Sequence, residues 1–360
     1  MLQNICNFFQ MLNFTNKFIR NALIFDRKLY SVMKKYARPI ITQDEQIIPD
    51  GNIIPIVKET TSRIRRGSTI FDNCSDKSFE RIESTDDRLG PVILKARILS
   101  DVENDSLIIE GVNMIRDAIR LNAKMTYLYF SKREILAEIP VNTFNKDAHI
   151  YYVPYKTMKR FSNLTTPPGI MAIFKRPETT KLLVDPFISR KLPVTLILDN
   201  VRDPGNIGCI IRSAAGFNIH RIFMTKGCVD LYNDKVLRSS MSSIFSIPIF
   251  QNLTWDDIQN SLNPNCVVHY ADISNDTGES YPYYDENIVD FTKEKTYGLV
   301  LGGEIGGVSD DAKRISAETY GCCLHIPINS HVNSLNMTVA GAIILAEFQK
   351  KILKNKIYIH

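Results

Sequence analysis

Hydrophobic positions along the chain fall into two rhythms, short unbroken runs and residues spaced three or four apart, and their alternation sets out two folded units. Ser106-Leu107-Ile108-Ile109-Glu110-Gly111 predicts a buried strand, and Val112, Ile115, Ala118 and Ile119 then fall at helical spacing through Val112–Asn122. Further strands are expected at Met125–Phe130, His149–Val153 and Gly169–Phe174, with a short helix at Tyr155–Phe161, so 91–176 reads as a small α/β unit. Pro177, Pro186 and Pro193 punctuate the next stretch, and 177–193 reads as a linker.

The second unit is patterned more strongly. Thr195–Asp199 is an apolar run ending in a polar loop, Ile207–Phe217 is helical and Ile219–Met224 is again a strand, which is a βαβ pattern. Strands at Ser246–Ile249, Cys266–Ala271, Tyr297–Leu301 and Cys322–Ile326 alternate with helices at Trp255–Leu262, Asp310–Glu318 and Leu335–Lys351. That alternation predicts an α/β fold with a parallel sheet covered on both faces. In the last helix Leu335, Val339, Ile343 and Ala346 share one side, the expected apolar face. The longest apolar runs fall far short of the roughly 18 residues a membrane-spanning helix needs, so no span is expected.

Charge changes the picture only upstream. The 360 residues carry a net charge of +5, but residues 1–40 hold Lys17, Arg20, Arg27, Lys28, Lys34, Lys35 and Arg38 against the single acid Asp26. The rest of the chain is therefore close to neutral. A leader that is basic, acid-poor and rich in Leu, Ile and Phe reads as a mitochondrial presequence, with a basic RNA-touching arm as the alternative. Residues 41–90 are polar and aperiodic and read as a flexible linker. Seven cysteines, at 6, 74, 209, 228, 266, 322 and 323, form no CxxC pair and have no nearby His pair, so reduced thiols and no metal site are expected.

Three segments that could carry chemistry lie where strands of the second unit end, the place where open α/β sheets put ligands. In Asp203-Pro204-Gly205-Asn206-Ile207-Gly208 the proline and glycines bend the chain into a helix start whose free amides suit an anion, and Arg212 comes later on that helix. Taken alone, this is also what a plain βα turn with a surface arginine looks like. Leu301-Gly302-Gly303-Glu304-Ile305-Gly306-Gly307 runs a strand into four glycines around one carboxylate, and it lacks the dinucleotide-binding spacing. Ile326-Pro327-Ile328-Asn329-Ser330-His331-Val332-Asn333-Ser334-Leu335-Asn336 feeds the last helix. Ser334 or Asn333 would cap that helix well, whereas Asn336 would be a poor helix former inside its first turn. The six histidines are dispersed, with no nucleophile elbow or paired carboxylates beside them.

In this order and spacing the three segments resemble the three motifs of the SpoU (TrmH-like) branch of the SPOUT methyltransferases. The likeness covers roughly 194–351. Residues 91–176 resemble that family's ribosomal-protein-like RNA substrate-binding domain, through Ile109-Glu110-Gly111 and Thr166-Pro167-Pro168-Gly169. With Thr225-Lys226-Gly227-Cys228-Val229-Asp230 and the basic leader, the likeness is greatest to members that methylate a guanosine ribose of mitochondrial large-subunit rRNA.

The resemblance implies S-adenosylmethionine-dependent 2′-O-ribose methylation by a catalytic domain at 194–354, built around a deep trefoil knot, an exception to unknotted topology. It implies cofactor contacts at Gly302, Ile326 and Leu335, and a polar catalytic set of Asn206, Arg212, Glu304, Ser334 and Asn336, with Glu304 holding the guanidinium fork of Arg212. It further implies a homodimer with Arg212 supplied across the interface, a partner in large-subunit rRNA or an assembling subunit, and the mitochondrial matrix as the location. Two alternatives stand beside it: an RNA-binding assembly factor that has lost the reaction, and a tRNA 2′-O-methyltransferase. All four of Asn206, Arg212, Glu304 and Asn336 are present, which favours an enzyme.

Overall fold

The computed structural model describes residues 79–97, 105–140, 147–179, 191–273, 280–285, 291–292, 295–304 and 306–355. The expected leader, the linker up to residue 78 and residues 180–190 of the second linker lie outside the described residues.

Period-two alternation builds the first sheet. β1 (Glu80–Arg81), β2 (Ser106–Glu110), β3 (Met125–Phe130), β4 (His149–Tyr152) and β5 (Ile170–Lys175) lie in the order β1-β4-β3-β5-β2. Leu107, Ile109, Leu128, Phe130, Ala172 and Phe174 face one core, whereas Ile108, Tyr129, Met171 and Ile173 face another. On the second face lie α1 (Gly90–Arg97) and α4 (Tyr155–Phe161), through Ile93, Ala96 and Met158, while α2 (Val112–Arg120) covers the first. A single turn, α3 (Arg133–Leu136), comes after β3.

This unit starts earlier than its pattern suggests. Ile82 and Leu89, each 1% exposed, belong to the second core, and β1 pairs with β4, so residues 79–90 are folded where a linker was expected. Two isolated apolar residues among charges give no period to read. Arg88 fixes the segment by bridging Glu80 and Asp86, at 2.6 and 2.8 Å, and lies over the Tyr151 ring.

The second sheet is parallel throughout. β6 (Leu192–Asp199), β7 (Ile219–Thr225), β8 (Ile249–Leu253), β9 (Cys266–Ala271), β10 (Ser280–Pro282), β11 (Thr296–Gly302) and β12 (Cys323–His325) lie in the order β10-β12-β9-β11-β6-β7-β8. All eight residues of β6 are buried, as a strand covered on both faces requires. Helices α5 (Pro204–Gly216), α6 (Asp234–Ser240), α7 (Trp255–Ser261), α8 (Asp310–Glu318) and α9 (Met337–Lys354) supply the cover.

Two expectations shift here. β8 begins at Ile249 instead of Ser246, because Met241 and Ser242 are both left-handed and turn the chain into a 3-10 turn at Ser243–Phe245. Helix α9 begins at Met337, two residues later than expected, and buries Met337, Gly341, Ile344, Leu345, Phe348 and Ile352. The face chosen from the sequence is largely on the outside, with Val339 49% exposed. Gly341 explains the rotation. A Cβ there would lie 2.4 Å from Leu301 Cδ1 and 2.9 Å from Ile210 Cδ1, so the glycine marks the tightest contact of α9, with β11 and α5.

The two units share one continuous apolar core, with the Phe174 and Phe245 rings 5.8 Å apart, and polar contacts add to it. Ser242 Oγ donates to the Met114 carbonyl at 2.8 Å, and Arg97 reaches both Glu110 and Asp234 at 3.3 Å. Among the described residues no helix is long and apolar enough to cross a membrane.

Candidate active site

The carboxyl ends of β6, β11 and β12 converge, and the loops that leave them are tied by backbone groups. Asp199 closes β6 and is 3% exposed. Its Oδ2 accepts the Ser309 N–H at 2.8 Å and its carbonyl accepts the Gly303 N–H at 3.0 Å, so the loop after β11 is fastened to the end of β6. Gly302 is packed into that junction. A Cβ on it would stand 2.3 Å from the Gly307 carbonyl carbon and 2.6 Å from the Val308 nitrogen. The absent side chain therefore serves the chain's own backbone, not the approach of a ligand.

Asp203 caps α5, accepting the Asn206 N–H at 2.8 Å, with Pro204 in the first helical position. That hydrogen bond, and Lys235 beside it, hold the Asp203 carboxyl below the ordinary carboxylate range. The cap turns Asn206 inward, 9% exposed, and its amide joins all three segments. Asn206 Nδ2 donates to Glu304 Oε1 at 2.6 Å, while its Oδ1 accepts from Asn336 Nδ2 at 3.0 Å and from Thr338 Oγ1 at 3.2 Å. Asn336 is itself the cap of α9, with Oδ1 accepting the Thr338 and Val339 N–H groups at 2.9 and 3.4 Å.

Two helix starts thus face one carboxylate. An amide has two donor hydrogens and two acceptor lone pairs. By that count Asn206 and Asn336 have filled their acceptors and keep one N–H each, and the positive ends of α5 and α9 add to the same region. Such a place stabilises negative charge on an oxygen.

Of the residues expected from sequence, Asn206, Glu304 and Asn336 meet. Ser334 does not cap α9: it is exposed, and its hydroxyl has no hydrogen-bond partner among the described residues. Gly302 ends β11, Ile326 comes one residue after β12, and Leu335 immediately precedes the Asn336 cap. Arg212 stands apart. It is exposed on α5 and has no hydrogen-bond or ion-pair partner among the described residues, and the carboxylate expected to hold its fork bonds Asn206 instead.

Thr338 escaped the sequence reading because a threonine in a first helical turn looks like any other. The only available hint was its spacing two residues after Asn336. Four of the thiols are poor nucleophiles: burial raises Cys228 and Cys266, and lifts Cys322 to about 12 and Cys323 to about 11. Among the described residues no group of His, Cys, Asp or Glu is gathered to hold a metal ion.

Residues 193–346 match the SpoU rRNA Methylase family, and residues 108–180 match the RNA 2′-O ribose methyltransferase substrate binding family. The chain is 35% identical over 311 residues to rRNA methyltransferase 3A, mitochondrial, of Danio rerio, covering 76% of this chain and 71% of that one. It is 33% identical to rRNA methyltransferase 3, mitochondrial, of Mus musculus, covering 74% and 73%. Among solved structures, an AdoMet-bound rRNA methyltransferase from Sinorhizobium meliloti has the same fold, with a TM-score of 0.56 and 24% identity over 75% of this chain and 97% of that one.

Proposed function

The chain belongs to the SpoU rRNA methylase family, and from that premise we propose that it methylates a ribose 2′-oxygen, at a guanosine of mitochondrial large-subunit rRNA, in support of ribosome assembly. The observation that carries this reading is the Asn206–Glu304–Asn336 network, which joins three separate segments around two unspent N–H donors. The names of the Danio rerio and Mus musculus relatives support rRNA as substrate and the mitochondrion as location, and the matrix is the compartment we propose within it. The basic leader at 1–40, read as a presequence, supports the same address.

S-adenosylmethionine is the methyl donor on this reading, as the bound ligand of the Sinorhizobium meliloti structure suggests. The residues here fit it. The main-chain N–H groups of Ile326 and Leu335 have no partner among the described residues, so they remain available to a ligand. When bound, this cofactor supplies an electrophilic methyl group on a sulfonium sulfur.

The chain's own task is alignment and charge stabilisation. Arg212 is permanently protonated, so it serves as a planar clamp on the RNA phosphate and on the developing alkoxide rather than as a base. The Asn206 and Asn336 N–H groups orient the ribose, Glu304 fixes the Asn206 amide, and the exposed Ser334 hydroxyl would be a further polar contact for the substrate. The hydroxyl proton is left to a phosphate oxygen of the substrate.

A second copy of the chain would bring Arg212 to this network. Two features support a homodimer: Arg212 lacks an internal partner, and Val339, Ala346 and Leu353 form an exposed apolar stripe two turns apart along α9. A trefoil knot over 194–354 would fit the clustering of three distant segments at one sheet end, and 91–176, with the earlier start at 79, would serve as the substrate-binding domain.

The test uses labelled S-adenosylmethionine and unmodified mitochondrial large-subunit rRNA, followed by alkaline hydrolysis, which stalls beside a 2′-O-methyl group. Label in alkali-resistant dinucleotides is the expected result. Label in ordinary mononucleotides, or none with either naked rRNA or assembling particles, would overturn the reading.

A further inference from the structure

The loops and helices between the small unit and the site carry more free positive charge than a near-neutral body would suggest. On α4, Met158 and Phe161 face the core, and Lys156, Lys159 and Arg160 are left on the outside. All three are exposed, and none has an ion-pair or hydrogen-bond partner among the described residues. The carboxyl end of α4 leads to Asn163, whose amide bonds Asp234 at the start of α6. Lys235 is next, reaching Asp203 at 3.2 Å and lying against Gly205, one residue before Asn206. One turn further along α6 is Arg238, exposed and likewise without a partner. Contact by contact, this edge runs from α4 over α6 to the amino end of α5.

The carboxylates under that edge are already engaged. Glu110, nine-tenths buried, is bound by Arg97 and accepts the Ser162 hydroxyl at 2.5 Å, and Asp234 is held by Arg97 and Asn163. Arg97 is thus consumed by the acids beneath, and of the outward cations Lys156, Lys159, Arg160 and Arg238 have no partner among the described residues while Lys235 is shared with Asp203. Lys350 and Lys175, by comparison, have the carboxylates of Glu347 and Asp105 beside them.

We propose that Lys156, Lys159, Arg160, Lys235 and Arg238 form a track that carries the phosphate backbone of the RNA from the small unit to Asn206. The inference rests on RNA being the substrate, and it assigns the surface that holds it. Phosphate contacts of this kind position a strand without reading its sequence, so the track supplies affinity and register while base selection lies elsewhere. Each cation that meets a phosphate releases a counterion, and the affinity therefore falls steeply with salt.

The experiment measures binding of the full chain to a fluorescein-labelled transcript of mitochondrial large-subunit rRNA between about 50 and about 200 mM salt, the range over which counterion release is read most easily. Methyl transfer to the same transcript is measured in parallel. The K156E/K159E/R160E variant is expected to bind at least about 10-fold more weakly and to lose about two to three units of the log–log salt slope. K156Q/K159Q/R160Q covers the case in which charge reversal disturbs folding, and should lose a similar slope with an unchanged melting temperature. Lys295→Glu, at the amino end of β11 and far from the site, should leave the slope as it was.

Wild-type affinity and slope in both triple variants would overturn the track while leaving the methyltransferase reading intact. A steep slope that the variants lose, with no alkali-resistant label from the wild type on the transcript or on assembling particles, would uphold the track and overturn the reaction. Failure of the wild type to bind either the transcript or assembling particles at low salt would overturn both.

Discussion

Asn206 and Arg212 lie on the same helix and end in opposite conditions. Asn206 is buried, and its amide is bonded to two other segments of its own chain; Arg212 is exposed and bonded to none of the described residues. On the proposed mechanism one half of the site is therefore complete before substrate arrives, and the other half is not. A buried polar group must find its partners within the fold or cost stability, so the asparagine network is set as the chain folds. An exposed guanidinium carries no such requirement, and on the proposed mechanism its working geometry is supplied from outside.

The largest effect expected from this contrast is at Arg212. Arg212→Ala should lower kcat by about 100- to 1000-fold, the usual cost of losing a charged transition-state contact, with the melting temperature unchanged because no internal bond is lost. Arg212→Lys should also lose at least about 10-fold, since an ammonium cannot replace a planar fork. Near-normal turnover in the lysine variant would show the clamp to be the wrong role.

Asn206→Ala should fail in a different way, losing activity and about 2–3 kcal/mol of stability together, because Glu304, Asn336 and Thr338 all lose their partner. Thermal melting of the two alanine variants side by side separates the halves: only the asparagine variant should melt early.

Acid strains the packing of α9 on the sheet instead. Burial pushes His269, on β9 and against the Phe348 ring of α9, down to about 4. Between pH 6.5 and 4 the unfolded chain binds a proton there that the folded chain refuses, so stability is lost as the pH falls through that window, by on the order of 2–3 kcal/mol. The melting temperature should drop across this range in the wild type and drop less in His269→Gln. An equal drop in both would remove the imidazole as the cause.

The smallest effect expected is at Thr338. Thr338→Val removes one donor to Asn206 Oδ1 and should cost about 1 kcal/mol, read as a several-fold fall in kcat with KM little changed, whereas Thr338→Ser should restore it. A change confined to KM would place Thr338 in binding instead.

Much of this was legible in the amino-acid sequence, for reasons that can be named. Continuous apolar runs such as 194–198 announced a parallel sheet, and loops rich in glycine, proline and asparagine at their ends marked the site. Segments held by sparse contacts were not legible. Residues 79–90 present Ile82 and Leu89 singly, and α6 has only Val236 and Leu237 to show in two turns. In α9 the most tightly packed position is Gly341, which reads as a gap in the apolar pattern and so misplaces the buried face. Asn336 looked misplaced inside a helix because the helix was begun too early; as the cap it is in its ordinary place. The pairing of Glu304 with Asn206 rather than Arg212 depends on which side of α5 faces β11, a matter of packing that spacing alone does not fix.

The most direct test is complementation between copies. Arg212→Ala and Asn336→Ala chains, each expected to be inactive alone, would be co-expressed in equal amounts and assayed for alkali-resistant ribose methylation. If Arg212 acts on the asparagine network of a second copy, half of the dimers are mixed and each mixed dimer holds one intact site, so about a quarter of wild-type activity should return. No recovery, with mixed dimers shown to form, would contradict a site completed from outside the chain.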